Sequence, residues 1–138
     1  MGRVLVTGGA GYIGSHVGKI LGAAGHQVVT LDNLSKGYAG AVTCGELVVG
    51  ETGDAALVAG VLREHEIDTV MHFAAFTIVP ESVAQPMKYY LNNTCHARTL
   101  IECAVAGGVR NFIFSSTAAV YGIPDAPRLS LIHISEPT

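Results

Sequence analysis

The chain has 138 residues, of which 49% are hydrophobic and 14% are charged, so its composition fits one folded domain and excludes a disordered chain. Its net charge of −3 argues against a nucleic-acid partner, and no apolar run approaches the roughly 18 residues of a membrane helix. Three cysteines without a CxxC pair predict neither a disulfide framework nor a metal site, and they fit the reducing cytoplasm.

Short β-branched runs alternate along the chain with stretches of helical period. Strands are predicted at 3–7, 27–31, 46–50, 68–73 and 111–116. Helices are predicted between the first strand and Gly25, at 54–66 and from about 87 to 106, and a loop is predicted between the second and third strands. This alternation predicts an α/β fold, a doubly wound parallel sheet of Rossmann type with strand order 3-2-1-4-5.

The spacing of apolar residues predicts which face of each helix is buried. These faces comprise Ile13, Val17, Ile20, Leu21 and Ala24 in the first helix, Leu57, Val58, Val61, Leu62 and His65 in the second, and Met87, Tyr90, Thr94, Ala97, Ile101 and Ala104 in the third. Each face is expected to pack against the sheet.

Four glycines, at positions 8, 9, 11 and 14, lie between the first strand and the first helix, and they fit both GxxGxxG and GxGxxG. A sharp strand-to-helix turn needs backbone angles that a Cβ disfavours, and a diphosphate can approach the backbone only where side chains are absent. The amides and dipole at the start of the helix then favour the negative charge. The pattern therefore predicts a phosphate-binding turn.

Asp32 ends the second predicted strand and follows Gly14 by 18 residues. An acid about 20 residues after such a turn accepts hydrogen bonds from the adenosine ribose of a dinucleotide. Because its charge would repel a 2′-phosphate, Asp32 favours NAD over NADP.

Five stretches carry a resemblance to a known family: TGGAGYIGSH at 7–16, LDNLSKG at 31–37, HFAAFTIVPESV at 72–83, YYLNNT at 89–94 and NFIFSSTAAVYG at 111–122. Through them, residues 1 to about 125 resemble the extended short-chain dehydrogenase/reductase family, and within it the nucleotide-sugar epimerases. The resemblance implies NAD as the cofactor, a UDP-sugar as the substrate and a homodimeric parent protein.

The resemblance also assigns roles to individual residues. Thr117 matches the family's catalytic Ser/Thr, which hydrogen-bonds the reacting sugar hydroxyl, and Ser115 would lie near the nicotinamide. The other cofactor-binding residues that it implies are Gly8, Gly11, Tyr12, Ile13 and Gly14 at the diphosphate, Asp32, Asn33, Leu34, Ser35, Lys36 and Gly37 around the ribose, Glu51 and Thr52 at the adenine, and Phe73, Ala74, Ala75 and Asn92 on the nicotinamide side.

The implied reaction is a reversible inversion at the 4-carbon of the sugar through a 4-keto intermediate, with UDP-glucose and UDP-galactose as the expected pair. A UDP-N-acetylhexosamine or UDP-pentose epimerase is the alternative within the enzyme class, and a non-catalytic NAD-binding protein is the alternative outside it. Related dehydratases carry an Asp-Glu pair where this chain has Ala118 and Ala119, which can neither donate nor accept a proton. Dehydration is therefore disfavoured.

The chain departs from the family pattern at several positions. The family's Gly-Asp is Gly50-Glu51 here, its Gly-Thr is His96-Ala97, and some relatives carry a Lys where this chain has Thr77. None of the five tyrosines is followed four residues later by a lysine, so the Tyr-x-x-x-Lys general base of the family is absent.

The last ten residues, LSLIHISEPT, match no part of the family pattern. They resemble a translated sequencing adapter, with a divergent loop and strand as the alternative. We therefore expect an incomplete NAD-binding domain at 1–128, truncated after the fifth strand, and a non-native tail at 129–138. We also expect the isolated chain to show no epimerase turnover.

Overall fold

A computed structural model describes residues 1–117, which form a five-stranded sheet with helices on both faces. The strands are β1 (Arg3–Thr7), β2 (Gln27–Asp32), β3 (Glu46–Val49), β4 (Thr69–His72) and β5 (Asn111–Phe114). All four strand pairings are parallel, and the order is β3-β2-β1-β4-β5. The predicted doubly wound Rossmann-type sheet and its strand order are confirmed. The expected tail at 129–138 lies outside the described residues.

Five α-helices connect the strands: α1 (Tyr12–Ala23), α2 (Ala55–Glu64), α3 (Val79–Ala84), α4 (Pro86–Tyr90) and α5 (His96–Ala106). A π-helical turn, Leu91–Cys95, joins α4 to α5. The predicted loop between β2 and β3 is confirmed, with a single 3-10 turn at Ala39–Ala41. The sequence analysis missed α3, because its six residues are too few to show a helical period.

The two faces of the sheet are packed unequally. On one face, side chains of α2 and α5 such as Val58 and Leu100 pack on the sheet residues Leu5, Leu31 and Val70, all of which are fully buried. On the other face, a smaller cluster of Val4, Val6 and Val28 packs with Leu21 of α1. The larger core therefore lies under α2 and α5.

The predicted buried face of α1 is partly wrong. Ile13 and Ile20 are 56% and 68% exposed, whereas the buried residues of this helix are Gly14 and Gly18. Because these glycines lack side chains, the helix backbone itself lies against the turn and the sheet, and Ile13 and Ile20 point outward, whereas Leu21 packs on the sheet as predicted.

The predicted buried face of the third helix is also wrong in most positions. Met87, Tyr90 and Ile101 are exposed, whereas Tyr89 and Leu100, which were not predicted, are buried. Ala104 is buried as predicted. The π-helical turn inserts an extra residue between α4 and α5, so a single 3.6-residue period cannot describe both segments. Among residues 1–117, no helix has the length and apolar character needed to span a membrane.

Candidate functional site

A cleft opens where β1, β2 and β4 end at the carboxyl edge of the sheet. In parallel α/β sheets, ligands bind outside this edge, where the strand order reverses. Here the reversal falls between β1 and β4. The cleft is lined by Gly8, Gly11, Leu31, Asp32, Asn33, Ser35, Lys36, Gly37, Gly50, Glu51, Thr52, Phe73, Ala74, Ala75, Phe76 and Asn92.

The turn between β1 and α1 requires glycine for two separate reasons. Gly8 has φ +70°, and a Cβ there would lie 2.6 Å from the backbone nitrogen of Ala74. A Cβ on Gly14 would overlap the carbonyl oxygen of Gly8, so Gly14 lets the first turn of α1 fold back onto the loop before it. These glycines therefore leave bare backbone at the floor of the cleft.

The start of α1 is suited to an anion. Its N-cap residue is Gly11, which offers no side chain to the first amides of the helix, and the first turn carries no acidic residue. Unsatisfied amides and the positive end of the helix dipole favour a phosphate at this position. The side chains of Tyr12 and Ile13 are exposed, and the Tyr12 ring contacts the His16 ring at a tilt of 55°, with centroids 4.8 Å apart.

Asp32 connects this turn to the loop after β2. One carboxylate oxygen accepts the N–H of Ala10 at 3.0 Å, the other accepts the N–H of Leu34 at 2.8 Å, and the residue is 8% exposed. Each oxygen can accept two hydrogen bonds, so each keeps one acceptor position for a ligand hydroxyl at the cleft. Gly37 lets the loop return over Ala10, because a Cβ there would lie 2.8 Å from the Cβ of Ala10.

Asn33 and Glu51 join the loops after β2 and β3. The Asn33 amide donates to Glu51 Oε1 at 3.0 Å, and its carbonyl oxygen accepts the N–H of Ser35 at 2.9 Å. The Nδ1 atom of His96 lies 3.7 Å from the other Glu51 oxygen. Asn33 therefore holds the Glu51 side chain beside the cleft. An aspartate at this position is one methylene shorter and would not reach Asn33 in the same way.

The π-helical turn positions two neighbouring asparagines against the loop after β4. Asn93 accepts the N–H of Phe76 at 2.8 Å and donates to its carbonyl oxygen at 2.9 Å, and Asn92 donates to the same Asn93 oxygen at 2.8 Å. Asn92 faces the cleft, whereas Asn93 fixes the cleft wall. Asn93 was not predicted from the sequence as a site residue. The signal that could have identified it is the pair of adjacent asparagines before α5.

Ser115 and Thr117 follow β5 and are exposed, and neither lines the cleft. The Ser115 N–H donates to the carbonyl oxygen of His72 at 3.3 Å, so this segment continues the sheet edge next to β4. Ser116 between them has φ +60°.

His72 lies beneath that segment and is 2% exposed. Its Nδ1 is 2.6 Å from the Thr7 hydroxyl, and its ring stacks on Phe114 with centroids 5.8 Å apart. Burial disfavours the charged imidazole and lowers the pKa of His72. His72 is therefore a neutral packing residue of the sheet edge.

A polar cluster fixes α3 and α4 beside the cleft. Glu81 accepts hydrogen bonds from Lys88 at 2.6 Å and from the Tyr89 hydroxyl at 2.8 Å, and Tyr89 also accepts the N–H of Ile78 at 3.1 Å. The bond from Lys88 is the main cause that lowers the pKa of Glu81. The cluster holds an ionised carboxylate away from the cleft floor.

The structure brings together most of the residues named from the sequence. Those outside the cleft lining are Tyr12, Ile13, Gly14, Leu34, Ser115 and Thr117, and the lining residues that the sequence analysis did not name are Leu31, Gly50 and Phe76. The first group lies next to the cleft in the turn and loops or follows β5. In the second group, Leu31 and Gly50 lie at strand ends and Phe76 lies in the loop after β4.

Comparison with known proteins identifies the family of the chain. Residues 4–137 match the model of the NAD dependent epimerase/dehydratase family. A UDP-glucose 4-epimerase of Azospirillum brasilense is 51% identical over 125 residues, which are 90% of this chain and 36% of that protein. A UDP-glucose 4-epimerase of Klebsiella pneumoniae is 41% identical, with 94% of this chain and 98% of that sequence covered.

Solved structures show the same fold. The crystal structure of UDP-glucose 4-epimerase from Brucella ovis in complex with NAD matches with a TM-score of 0.85 and 38% identity, over 100% of this chain and 42% of that one. The chain thus spans only about a third of the length of the first curated relatives it matches.

Proposed function

The chain belongs to the NAD dependent epimerase/dehydratase family, and from this premise we propose that it binds NAD in the cleft as the dinucleotide-binding part of a UDP-glucose 4-epimerase. The observation that carries the proposal is the position of Asp32, a nearly buried carboxylate that accepts two backbone amides and keeps acceptor capacity at the cleft. The turn of Gly8, Gly11 and Gly14 next to it leaves room for a diphosphate.

Different residues of the cleft would bind different parts of the dinucleotide. The first amides of α1 would bind the diphosphate, Asp32 the adenosine ribose hydroxyls, and Lys36 would offset part of the phosphate charge. Glu51 and Thr52 would lie at the adenine, and Asn92 with residues 73–75 would line the nicotinamide side. The carboxylate of Asp32 would repel a 2′-phosphate, which favours NAD over NADP.

The reacting end depends on Thr117, whose hydroxyl would hydrogen-bond the sugar hydroxyl that loses its proton. The redox chemistry would be supplied by the bound dinucleotide, which oxidises the 4-carbon of the sugar and reduces it again from the opposite face. The parent protein would contribute binding and orientation, and the tyrosine of its Tyr-x-x-x-Lys motif would accept the proton. Because the sequence contains no Tyr-x-x-x-Lys motif, we propose that the 138-residue chain binds NAD without turning over UDP-galactose.

We also propose that the parent protein is a homodimer, that it lies in the cytoplasm and that it acts in galactose metabolism. We propose that the parent protein acts on UDP-glucose and UDP-galactose; the relatives are named UDP-glucose 4-epimerases, which supports the first of these two sugars. The tail at 129–138 is proposed to be non-native, with the incomplete NAD-binding domain preceding it.

Calorimetric titration of the purified chain with NAD and with NADP tests the binding proposal. We expect NAD to bind, and NADP to bind at least about tenfold more weakly because the Asp32 carboxylate repels its 2′-phosphate. Asp32→Asn should weaken NAD binding and reduce the difference between the NAD and NADP affinities. Equal affinity for the two dinucleotides, or no binding of either, would overturn the proposal.

A coupled assay with UDP-galactose should show no turnover, and measurable turnover would refute the proposal that the 138-residue chain is inactive.

A further inference from the structure

His96 carries a buried polar atom that the fold alone does not satisfy. Its Nδ1 is buried without a hydrogen-bond partner among the described residues, although buried polar atoms are nearly always paired. A carboxylate oxygen, Glu51 Oε2, lies 3.7 Å from this atom, about 0.8 Å beyond a good hydrogen bond. A small movement of the Glu51 side chain would therefore satisfy both groups.

The loop before α2 is shaped around this imidazole. A Cβ on Gly53 would overlap the His96 ring, so the ring packs directly on the bare backbone of the loop that carries Glu51. His96 is the first residue of α5, immediately after the π-helical turn. The imidazole is thus held at a fixed place relative to the Glu51 backbone, whereas the Glu51 side chain is half exposed and can adjust.

Glu51 transmits this position to the cleft. Its Oε1 accepts the Asn33 amide at 3.0 Å, and both Glu51 and Asn33 line the cleft on the side where the adenosine is proposed to lie. The three residues form a chain from α5 through the loop after β3 to the loop after β2. The fixed position of His96 can therefore influence the cleft through Glu51.

We propose that His96 is a positioning residue for the adenosine end of the site. On ligand binding, His96 Nδ1 donates a hydrogen bond to Glu51 Oε2, which fixes the Glu51 carboxylate and, through it, the Asn33 amide. The proposal rests on the proposed NAD binding in this cleft. His96 does not touch the ligand; it acts through Glu51.

The test compares two substitutions of His96 in the full 138-residue chain, with NAD and ADP as probes in titration calorimetry. His96→Leu keeps an apolar body without a donor, whereas His96→Asn places an amide N–H near the position of Nδ1. We expect His96→Leu to weaken both NAD and ADP by about fivefold, and His96→Asn to remain within about twofold of the unsubstituted chain. His65→Leu, at the C-terminal cap of α2, is the matched control and should leave both affinities unchanged.

A double-mutant cycle separates positioning from packing. In a Glu51→Ala background, His96→Leu should have little further effect on ADP affinity, because the acceptor of the His96 hydrogen bond is gone. If His96→Leu does not fold, His96→Ala, which also lacks the donor, takes its place in the same cycle.

The outcomes distinguish this inference from the proposed function. Unchanged ADP affinity in His96→Leu, failure of His96→Asn to restore affinity, or additive effects with Glu51→Ala would overturn the role of His96 while NAD binding stands. Absence of NAD and ADP binding by the unsubstituted chain would overturn the proposed function and this inference with it.

Discussion

The two proposed ends of the site differ in how firmly their residues are held. At the proposed adenosine end, Asp32 is 8% exposed and accepts two backbone amides, and Gly37 packs the following loop onto the glycine turn. At the proposed reactive end, Ser115 and Thr117 are exposed and follow β5, the outer strand of the sheet in residues 1–117. Among the described residues, the proposed adenosine end is thus more buried than the proposed reactive end, and we expect NAD affinity and turnover to respond to different substitutions.

The largest effect is expected at the glycine turn. Gly14→Ala places a methyl group against the Gly8 carbonyl and should weaken NAD binding by 100-fold or more, while lowering the free energy of unfolding by about 1–3 kcal/mol. Gly60→Ala is the matched control, because a Cβ there meets no atom within 4 Å inside α2. It should leave NAD affinity unchanged and raise stability by up to about 1 kcal/mol. Normal NAD binding by Gly14→Ala would contradict the role of the turn.

Substitutions of Asn92 and Asn93 should distinguish the residue that would contact the ligand from the residue that holds the cleft wall. Asn93→Ala removes both hydrogen bonds to Phe76 and should lower the free energy of unfolding by about 1–3 kcal/mol and weaken NAD several-fold. Asn92→Ala should weaken NAD with the Phe76 bonds intact, and so with little change in stability. Urea unfolding and NAD titration of both variants measure this difference. An equal loss of stability in the two variants would contradict these separate roles of Asn92 and Asn93.

Particular elements show how much of this arrangement the sequence could predict. The strands, their order and the loop between β2 and β3 follow from β-branched runs and turn formers, which act locally. Ile13 and Ile20 were assigned to the buried face because apolar spacing cannot show that Gly14 and Gly18 bring the helix backbone itself to the sheet. The π-helical turn, and with it the roles of Asn93 and His96, depends on contacts between segments distant in sequence.

The pH dependence of stability should be sensitive to His72 beneath the reactive end. Burial lowers its pKa below the ordinary value of 6.5, so unfolding takes up a proton as the histidine becomes solvated. This contribution to stability is fully present above about pH 6.5 and is lost as the pH falls below that value toward the lowered pKa of the folded state. His72→Gln should flatten the stability profile between pH 5 and 7, measured by urea unfolding and compared with His65→Gln. An unchanged slope would show that His72 is not the titrating group.

The smallest effect on binding is expected at Thr117. Thr117→Val removes a hydroxyl from an exposed position outside the cleft lining and should change NAD affinity by less than about twofold. Titration with NAD checks this expectation. A large loss of affinity would mean that the reactive end already contributes to dinucleotide binding, and it would erase the difference between the two ends.

The most direct test of the central claim is an NMR titration of the ¹⁵N-labelled chain with NAD. We expect the largest amide shifts at residues 8–14 and 32–37, where the diphosphate and the ribose are proposed to lie, and small shifts at the opposite edge of the sheet, such as His26 and Glu66. Shifts confined to that opposite edge, or none at saturating NAD, would contradict the account.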